Sequence, residues 1–196
     1  MRACVVLAGL VAAPALGQVV PSVGVVVDVT DAELRPGEST TVTMSAAWGD
    51  RYFAMAAIWT DLISSEGAEG LSDPRLIAPM DGPGTSAGEA AATGIDGIIA
   101  GKLNFPVGGL PPDPNPIPFW RATYTAPFGA SAPFDVVLAT ETDVFEVYTE
   151  FGSATTESLI DEVVEGSASI RVLPAPASLA LLGVGVVAAS RRRSRA

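Results

Sequence analysis

Three stretches near the start of the chain decide the fold class: Val23-Gly24-Val25-Val26-Val27-Asp28-Val29-Thr30, then Arg35-Pro36-Gly37-Glu38, then Thr41-Val42-Thr43-Met44-Ser45-Ala46-Ala47-Trp48. In the first, every second residue from 23 to 29 is valine; in the third, 42, 44, 46 and 48 are apolar. Alternation with a period of two predicts strands with one face in a core. The proline and glycine between them predict a turn. We therefore expect the chain to open with two strands of a sheet.

The same alternation recurs further along the chain. It is found at 134–138, at 145–151, where Phe145, Val147 and Phe151 share a face, and at 168–172. Further strands are expected at 52–62, 97–105 and 117–125, a stiff extended loop at 111–116, and mostly loop at 65–92. About eight or nine strands favour an all-β fold, a Greek-key β-sandwich.

The charge is unevenly distributed. All 22 acidic residues lie between Asp28 and Glu165. The body holds six basic residues: Arg35, Arg51, Arg75, Lys102, Arg121 and Arg171. A body this acidic repels phosphate backbones, so no nucleic-acid partner is expected. Solubility outside the cell is the favoured explanation of the charge.

Two residue types that carry much of enzyme chemistry are missing or nearly so. The chain has no histidine, and its one cysteine is Cys4. Ser-His-Asp and Cys-His catalysis and structural zinc are therefore excluded in their usual forms. Lys102, the sole lysine, lacks a Ser-x-x-Lys setting and is interpreted as a solvent-facing strand residue. We predict that the chain has no catalytic residues, binds no cofactor and is not an enzyme. The remaining enzymatic alternative is a hydrolase that uses two carboxylates.

Calcium is the one metal left open, because it takes oxygen ligands. The candidate carboxylates lie in expected loops: Asp28 with Asp31, Glu141 with Asp143, and Asp73, Asp81 and Asp113. None follows the spacing of a known calcium loop, and ordinary turn carboxylates are the favoured interpretation.

Aromatic residues raise the alternative of a binding module. Several could stack on sugar rings if they shared an exposed face: Trp48, Tyr52, Trp59, Trp120, Tyr124 and Tyr148. Trp48 shares a face with Val42 and Met44, so it is expected in the core, and the pair Trp120 and Tyr124 is expected there too.

The first 17 residues have the pattern of a secretory signal peptide. Arg2 precedes an uncharged run, and Ala15 and Gly17 supply small residues for cleavage before Gln18. Signal peptidase is the implied partner, and the mature chain would have no thiol. The expected body is residues 18–171.

The tail, residues 172–196, has three parts. It begins with Pro174, Ala175 and Pro176 and continues as an uncharged helix expected at 177–190. The apolar positions of that helix include Ala177, Leu179, Leu181, Leu182, Val184, Val186 and Val187. A basic stop follows: Arg191, Arg192, Arg193 and Arg195. A short helix of this kind, ending in arginines, predicts a membrane anchor with the body exported across the inner membrane.

This order of parts resembles the PEP-CTERM protein-sorting domain. The resemblance implies an exosortase-like membrane enzyme as partner, removal of the tail, and delivery to the cell surface or an exopolysaccharide matrix. Ala175 departs from the family, which usually has glutamate there. A permanent anchor is the alternative.

The body resembles cohesin-like and other bacterial surface sandwiches. The residues concerned are Val25-x-Val27-x-Val29, Pro36-Gly37-Glu38, Val42-x-Met44 and Phe119-Trp120-Arg121-Ala122-Thr123-Tyr124. The resemblance implies a β-sandwich fold for the body. From the sequence we therefore expect an exported, non-enzymatic surface or matrix protein, with a carbohydrate- or protein-binding module as the alternative.

Overall fold

The computed structural model describes residues 23–103 and 113–174. The predicted signal segment, including Ala15, Gly17 and Gln18, lies outside these residues. So does the tail from Ala175 onward, with its predicted helix and arginines. Of the predicted sorting motif, only Pro174 is described; it is half-buried and follows the last strand.

Eleven strands and one short 3₁₀ helix, Ile160–Glu162, are found in the described residues. The strands are β1 Gly24–Val29, β2 Glu33–Leu34, β3 Ser39–Ala47, β4 Ala54–Ser64, β5 Leu71–Leu76, β6 Ser86–Ala91, β7 Gly94–Gly101, β8 Ile117–Thr125, β9 Phe134–Tyr148, β10 Thr156–Ser158 and β11 Ser167–Val172. This part of the chain contains no helix that is both long enough and apolar enough to span a membrane.

The strands form two sheets. The four-stranded sheet has the order β1-β3-β8-β5, and the seven-stranded sheet has the order β2-β11-β9-β4-β7-β6, with β10 also paired to β9. Every pairing is antiparallel except that of β11 with β2. From β3 to β6 the chain changes sheet at each connection, so the two sheets face each other. The predicted all-β fold of two sheets is confirmed.

The core lies between the sheets and contains the residues that alternation assigned to it. Val25 and Val27 are buried from β1, and Val42 and Met44 from β3. The largest fully buried side chains of β8 and β9 are Phe119, Trp120, Tyr124 and Phe145. The indole N–H of Trp120 donates to the carbonyl of Ala87, at 2.9 Å, and so joins β8 to β6 of the other sheet. The core positions expected for Trp48, Trp120 and Tyr124 are confirmed.

Three sequence interpretations are corrected. Residues 65–92, expected as mostly loop, contain β5 and β6, each of which lies at one edge of its sheet. Phe151, expected to share a buried face with Phe145, follows the end of β9 and is exposed. It packs edge-to-face on Phe53, with ring centroids 5.3 Å apart. Lys102, expected to face solvent, is largely buried and forms an ion pair with Asp113.

Candidate functional site

The outer face of the seven-stranded sheet carries an exposed apolar row. Trp59 on β4 is 49% exposed, although it is one of the largest apolar side chains in the protein. Its direct cross-strand partners are Ile99 on β7 and Val144 on β9. Because paired residues share a face, the three side chains form one row across three adjacent strands.

The alternation of β4 forces Trp59 outward. Ile58 and Leu62 are fully buried and bind the strand to the core. Trp59 directly follows Ile58, and successive residues of an extended strand point to opposite faces. Burial of the two aliphatic residues therefore fixes the exposure of the tryptophan.

A groove of about 300 Å³, the Trp59 groove, runs beside this row. Small residues form its floor, since Ala57 on β4 is paired with Gly101 on β7. Its remaining lining includes the turn around Pro83 and Gly84 together with Leu103, Glu146, Tyr148 and Thr156. Leu103 is 56% exposed, so the groove offers a second apolar contact besides Trp59.

The turn at one side of the groove is held by hydrogen bonds. Gly101 N–H donates to the Met80 carbonyl, and Gly82 N–H donates to the Gly101 carbonyl, both at 3.0 Å. Thr85 Oγ1 donates to the Gly82 carbonyl at 2.7 Å. Met80 itself is fully buried. The wall is therefore formed before any partner arrives, which lowers the entropic cost of binding.

The opposite side depends on Lys102. The Tyr148 hydroxyl donates to the Lys102 carbonyl at 3.0 Å, and Lys102 N–H donates to the Ala56 carbonyl at 3.0 Å. The Lys102 ammonium donates to Asp113. These contacts keep Tyr148, which is 7% exposed, as a fixed part of the lining.

Two pairs of acidic residues lie on the same sheet as the apolar row, toward one side of it. Asp61 and Glu141 are direct cross-strand partners on β4 and β9, and Glu89 and Asp96 are direct partners on β6 and β7. Like charges placed opposite each other destabilise a sheet. Asp61 is partly compensated, because its Oδ1 accepts a hydrogen bond from Gly97 N–H at 2.7 Å. No salt bridge to these four carboxylates occurs among the described residues.

The calcium candidates do not come together. Within the described residues, no group of three or more acidic, histidine or cysteine side chains is placed to hold a metal ion. Asp113 is bound to Lys102, and its other oxygen accepts from Met55 N–H at 3.2 Å. Asp81 lies in the turn beside the groove, where its backbone forms an isolated β-bridge with Gly101.

The aromatic candidates separate into two groups. Trp48, Trp120 and Tyr124 belong to the core, and Tyr52 is buried with its hydroxyl donating to Glu157 at 2.9 Å. Burial, then that hydrogen bond, raises the pKa of Tyr52. Only Trp59 and Tyr148 of the six face the groove. A cluster of exposed aromatics, as a sugar-binding platform would need, is not formed by the described residues.

Sequence reasoning missed the apolar partners of Trp59. Ile99 and Val144 lie 40 or more residues from it in the chain, and only the strand pairing brings them together. Leu103 was assigned to a strand, whereas β7 ends at Gly101. One signal was available in the sequence: Trp59 lies on the strand face opposite to that of Ile58 and Leu62, which indicates an exposed tryptophan.

No protein-family model matches this chain, and no curated protein matches it. The resemblance of residues 172–196 to the PEP-CTERM domain therefore stays a prediction.

Solved structures with a similar arrangement of strands include cohesin modules. One, from a Clostridium perfringens family 33 glycoside hydrolase, shares 12% identity at a TM-score of 0.48, covering 79% of this chain and 99% of that one. The sixth cohesin of Acetivibrio cellulolyticus scaffoldin B, solved in complex with a dockerin, shares 13% identity at a TM-score of 0.47, covering 78% and 99%. The seventh ScaB type I cohesin of Pseudobacteroides cellulosolvens shares 14% identity at a TM-score of 0.46, covering 78% and 94%.

Proposed function

We propose that this chain is a non-enzymatic binding module, displayed outside the cell, that holds a protein partner on the outer face of its seven-stranded sheet. The observation that carries the proposal is the half-exposed Trp59 at the centre of an apolar row beside a preformed groove. Tryptophan is among the residues that most often dominate the energy of a protein interface.

The charge around the row supports a partner of defined chemistry. The pairs Asp61–Glu141 and Glu89–Asp96 repel each other in the free protein. Basic side chains at the rim of a partner would relieve that repulsion while an apolar side chain contacts Trp59. Acidic rims of this kind speed association with basic partners and select against acidic ones.

The two ends of the chain support display outside the cell. Residues 1–17 have the pattern of a secretory signal, and residues 172–196 that of a sorting tail read by an exosortase-like enzyme. On this proposal the tail holds the body transiently at the inner membrane and is then removed. The module reaches the cell surface or an exopolysaccharide matrix.

The test is an affinity experiment with the full chain in nonionic detergent. Proteins from the surface and matrix of the producing cell are captured on wild-type protein and on the variants Trp59→Ala and Val137→Ala. Val137 is a matched control, because it is 48% exposed on the same sheet but lies outside the groove. A purified partner should bind the Trp59 variant at least about thirtyfold more weakly, the size of an interface hot spot.

The outcomes separate the two kinds of binding module. Loss with Trp59→Ala, retention with Val137→Ala, and weaker binding at higher salt support the proposal. A partner whose affinity is equal for both variants contradicts it. Trp59-dependent binding of a purified polysaccharide, without any protein partner, would establish the carbohydrate alternative instead.

A further inference from the structure

A second cavity, the Tyr124 pocket, lies far from the Trp59 groove. It measures about 280 Å³ and is lined by Glu66, Glu69, Gly70, Tyr124, Thr125, Ala126, Pro127, Phe128 and Phe134. Phe134 is the first residue of β9, and Tyr148 of the Trp59 groove is the last. At about 3.3 Å per residue the two sites are separated by more than about 40 Å of strand.

The pocket is formed by anchored segments. Thr125 N–H donates to the Gly70 carbonyl, and Gly37 N–H donates to the Ala126 carbonyl, both at 2.9 Å. Gly70 has a φ of +82°, and a Cβ there would lie 2.8 Å from the Tyr124 ring. A glycine at position 70 is therefore required for the tyrosine to occupy its place in the pocket.

Phe128 forms the outer aromatic wall. It is 82% exposed, the most exposed large apolar side chain of the described residues. Its ring lies over Gly37, where any side chain would collide with it. An aromatic ring held in the open by a glycine beneath it presents its face to a ligand.

The Tyr124 hydroxyl supplies a neutral polar group to the lining of the pocket. Tyr124 is 1% exposed, and its hydroxyl forms no hydrogen bond with the described residues. Every fully enclosed polar side-chain atom in this part of the chain has a partner. The hydroxyl therefore opens onto the pocket, where it can accept or donate one hydrogen bond to a ligand.

Two carboxylates set the charge. Glu66 and Glu69 are exposed at the pocket and are in no salt bridge with a described residue. Burial, and after it the negative charges of Glu66 and then Glu69, raise the pKa of Tyr124. Both carboxylates thus act on the pocket, and no basic side chain of the described residues offsets them there.

We propose that the Tyr124 pocket binds an organic cation, an alkylammonium or guanidinium group. Glu66 and Glu69 neutralise its charge, the Tyr124 oxygen accepts a hydrogen bond from it, and its alkyl carbons pack on Phe128 and Phe134. Cations are attracted to aromatic faces as well as to carboxylates. The volume suits a lysine- or arginine-sized side chain, so the cation comes either from a free amine or from a protein partner.

The test titrates the full chain, in nonionic detergent, with probes of matched shape. Cadaverine represents a free amine, and N-acetyl-lysine methylamide and its arginine counterpart represent protein side chains. Pentane-1,5-diol has the length of cadaverine without its charge. We expect each cation to bind at least about tenfold more tightly than the diol, by calorimetry or by NMR.

Variants separate the pocket from the rest of the protein. The double variant Glu66→Gln and Glu69→Gln should weaken cadaverine binding about tenfold. Tyr124→Phe and Phe128→Ala should weaken it as well. Asp161→Asn, an exposed carboxylate outside both cavities, and Val137→Ala should leave it unchanged. Because the Trp59 partner test uses other residues, failure of either proposal leaves the other standing.

A spectroscopic readout links the cation to Tyr124. The bound arginine probe, whose guanidinium stays charged at alkaline pH, offsets Glu66 and Glu69, so it should lower the pKa of this tyrosine in an absorbance titration, and the change should vanish in Tyr124→Phe. Diol binding as tight as cadaverine binding, or full cadaverine affinity in the double glutamine variant, overturns the proposal.

Discussion

The ammonium of Lys102 donates a hydrogen bond to the carboxylate of Asp113, although 10 residues separate them in the sequence. Their side chains are 18% and 9% exposed, so the pair is largely removed from water. The second oxygen of Asp113 accepts from the Met55 backbone N–H at the start of β4. Since the Lys102 carbonyl also accepts from Tyr148, this ion pair fixes one side of the Trp59 groove.

Removing the lysine charge should destabilise the protein more than removing the carboxylate charge. Lys102→Met leaves Asp113 buried without a counter-ion, and such a loss costs about 3 kcal/mol or more. Asp113→Asn keeps an oxygen for Met55 N–H, and the longer lysine side chain can reach water. Urea unfolding of both variants at neutral pH measures the difference. Equal costs in the two variants would contradict this order, and costs below about 1 kcal/mol in both would show that the pair behaves as an exposed surface bridge.

The same substitution should cost much more stability at Trp120 than at Trp59. Trp120→Phe removes the N–H that bonds to the Ala87 carbonyl, and leaving that group unpaired costs about 1–3 kcal/mol. Trp59→Phe changes a half-exposed side chain and should alter stability by less than about 0.5 kcal/mol. Unfolding followed by circular dichroism checks both. A large stability loss from Trp59→Phe would indicate that Trp59 serves folding.

The strands that the sequence predicts best are those with an apolar side chain at every second position. β1, β3 and β8 place alternate apolar side chains in the core, and the period-two signal locates them. β5 and β6 each lie at one edge of a sheet, and the sequence did not predict them because they lack that alternation. Their residues, Leu-Ser-Asp-Pro-Arg-Leu and Ser-Ala-Gly-Glu-Ala-Ala, bury too little apolar surface to show a pattern. Proline in β5 is tolerated at such an edge.

The candidate sites were less accessible to sequence reasoning because strand register creates them. Trp59 could be recognised as an aromatic on a strand, but its row with Ile99 and Val144 depends on two pairings. The core position of Tyr124 was predicted correctly. The pocket at its hydroxyl could not be predicted, because it forms only where the 65–70 segment lies against β8. Local patterns report which face a residue takes, and they carry no information on its neighbours across strands.

The sorting proposal predicts the mass of the mature protein. Cleavage before Gln18 and again after about Pro176 would remove the signal segment and the arginine cluster. Intact-mass spectrometry of protein isolated from the surface or matrix measures both ends at once. A matched control replaces Arg191, Arg192 and Arg193 with serine and should retain the tail or be lost to the medium. Surface protein that carries a complete wild-type tail would contradict processing and favour a permanent anchor.

Alkaline pH should reveal the setting of Tyr124. Burial and the charges of Glu66 and Glu69 raise its pKa, so the folded protein holds the proton more tightly than the unfolded chain does. The resulting stability is complete below the ordinary tyrosine pKa and is lost as pH rises from there through the raised pKa.

At neutral pH, Tyr124→Phe should match wild type within about 0.5 kcal/mol, because the hydroxyl makes no hydrogen bond to lose. Above the ordinary tyrosine pKa, the phenylalanine variant should lose less stability than wild type in urea unfolding. Tyr52→Phe is the control. Because it removes a hydrogen bond to Glu157, this variant should be less stable than wild type already at neutral pH. Parallel alkaline losses in wild type and Tyr124→Phe would show that folding does not raise the pKa of Tyr124.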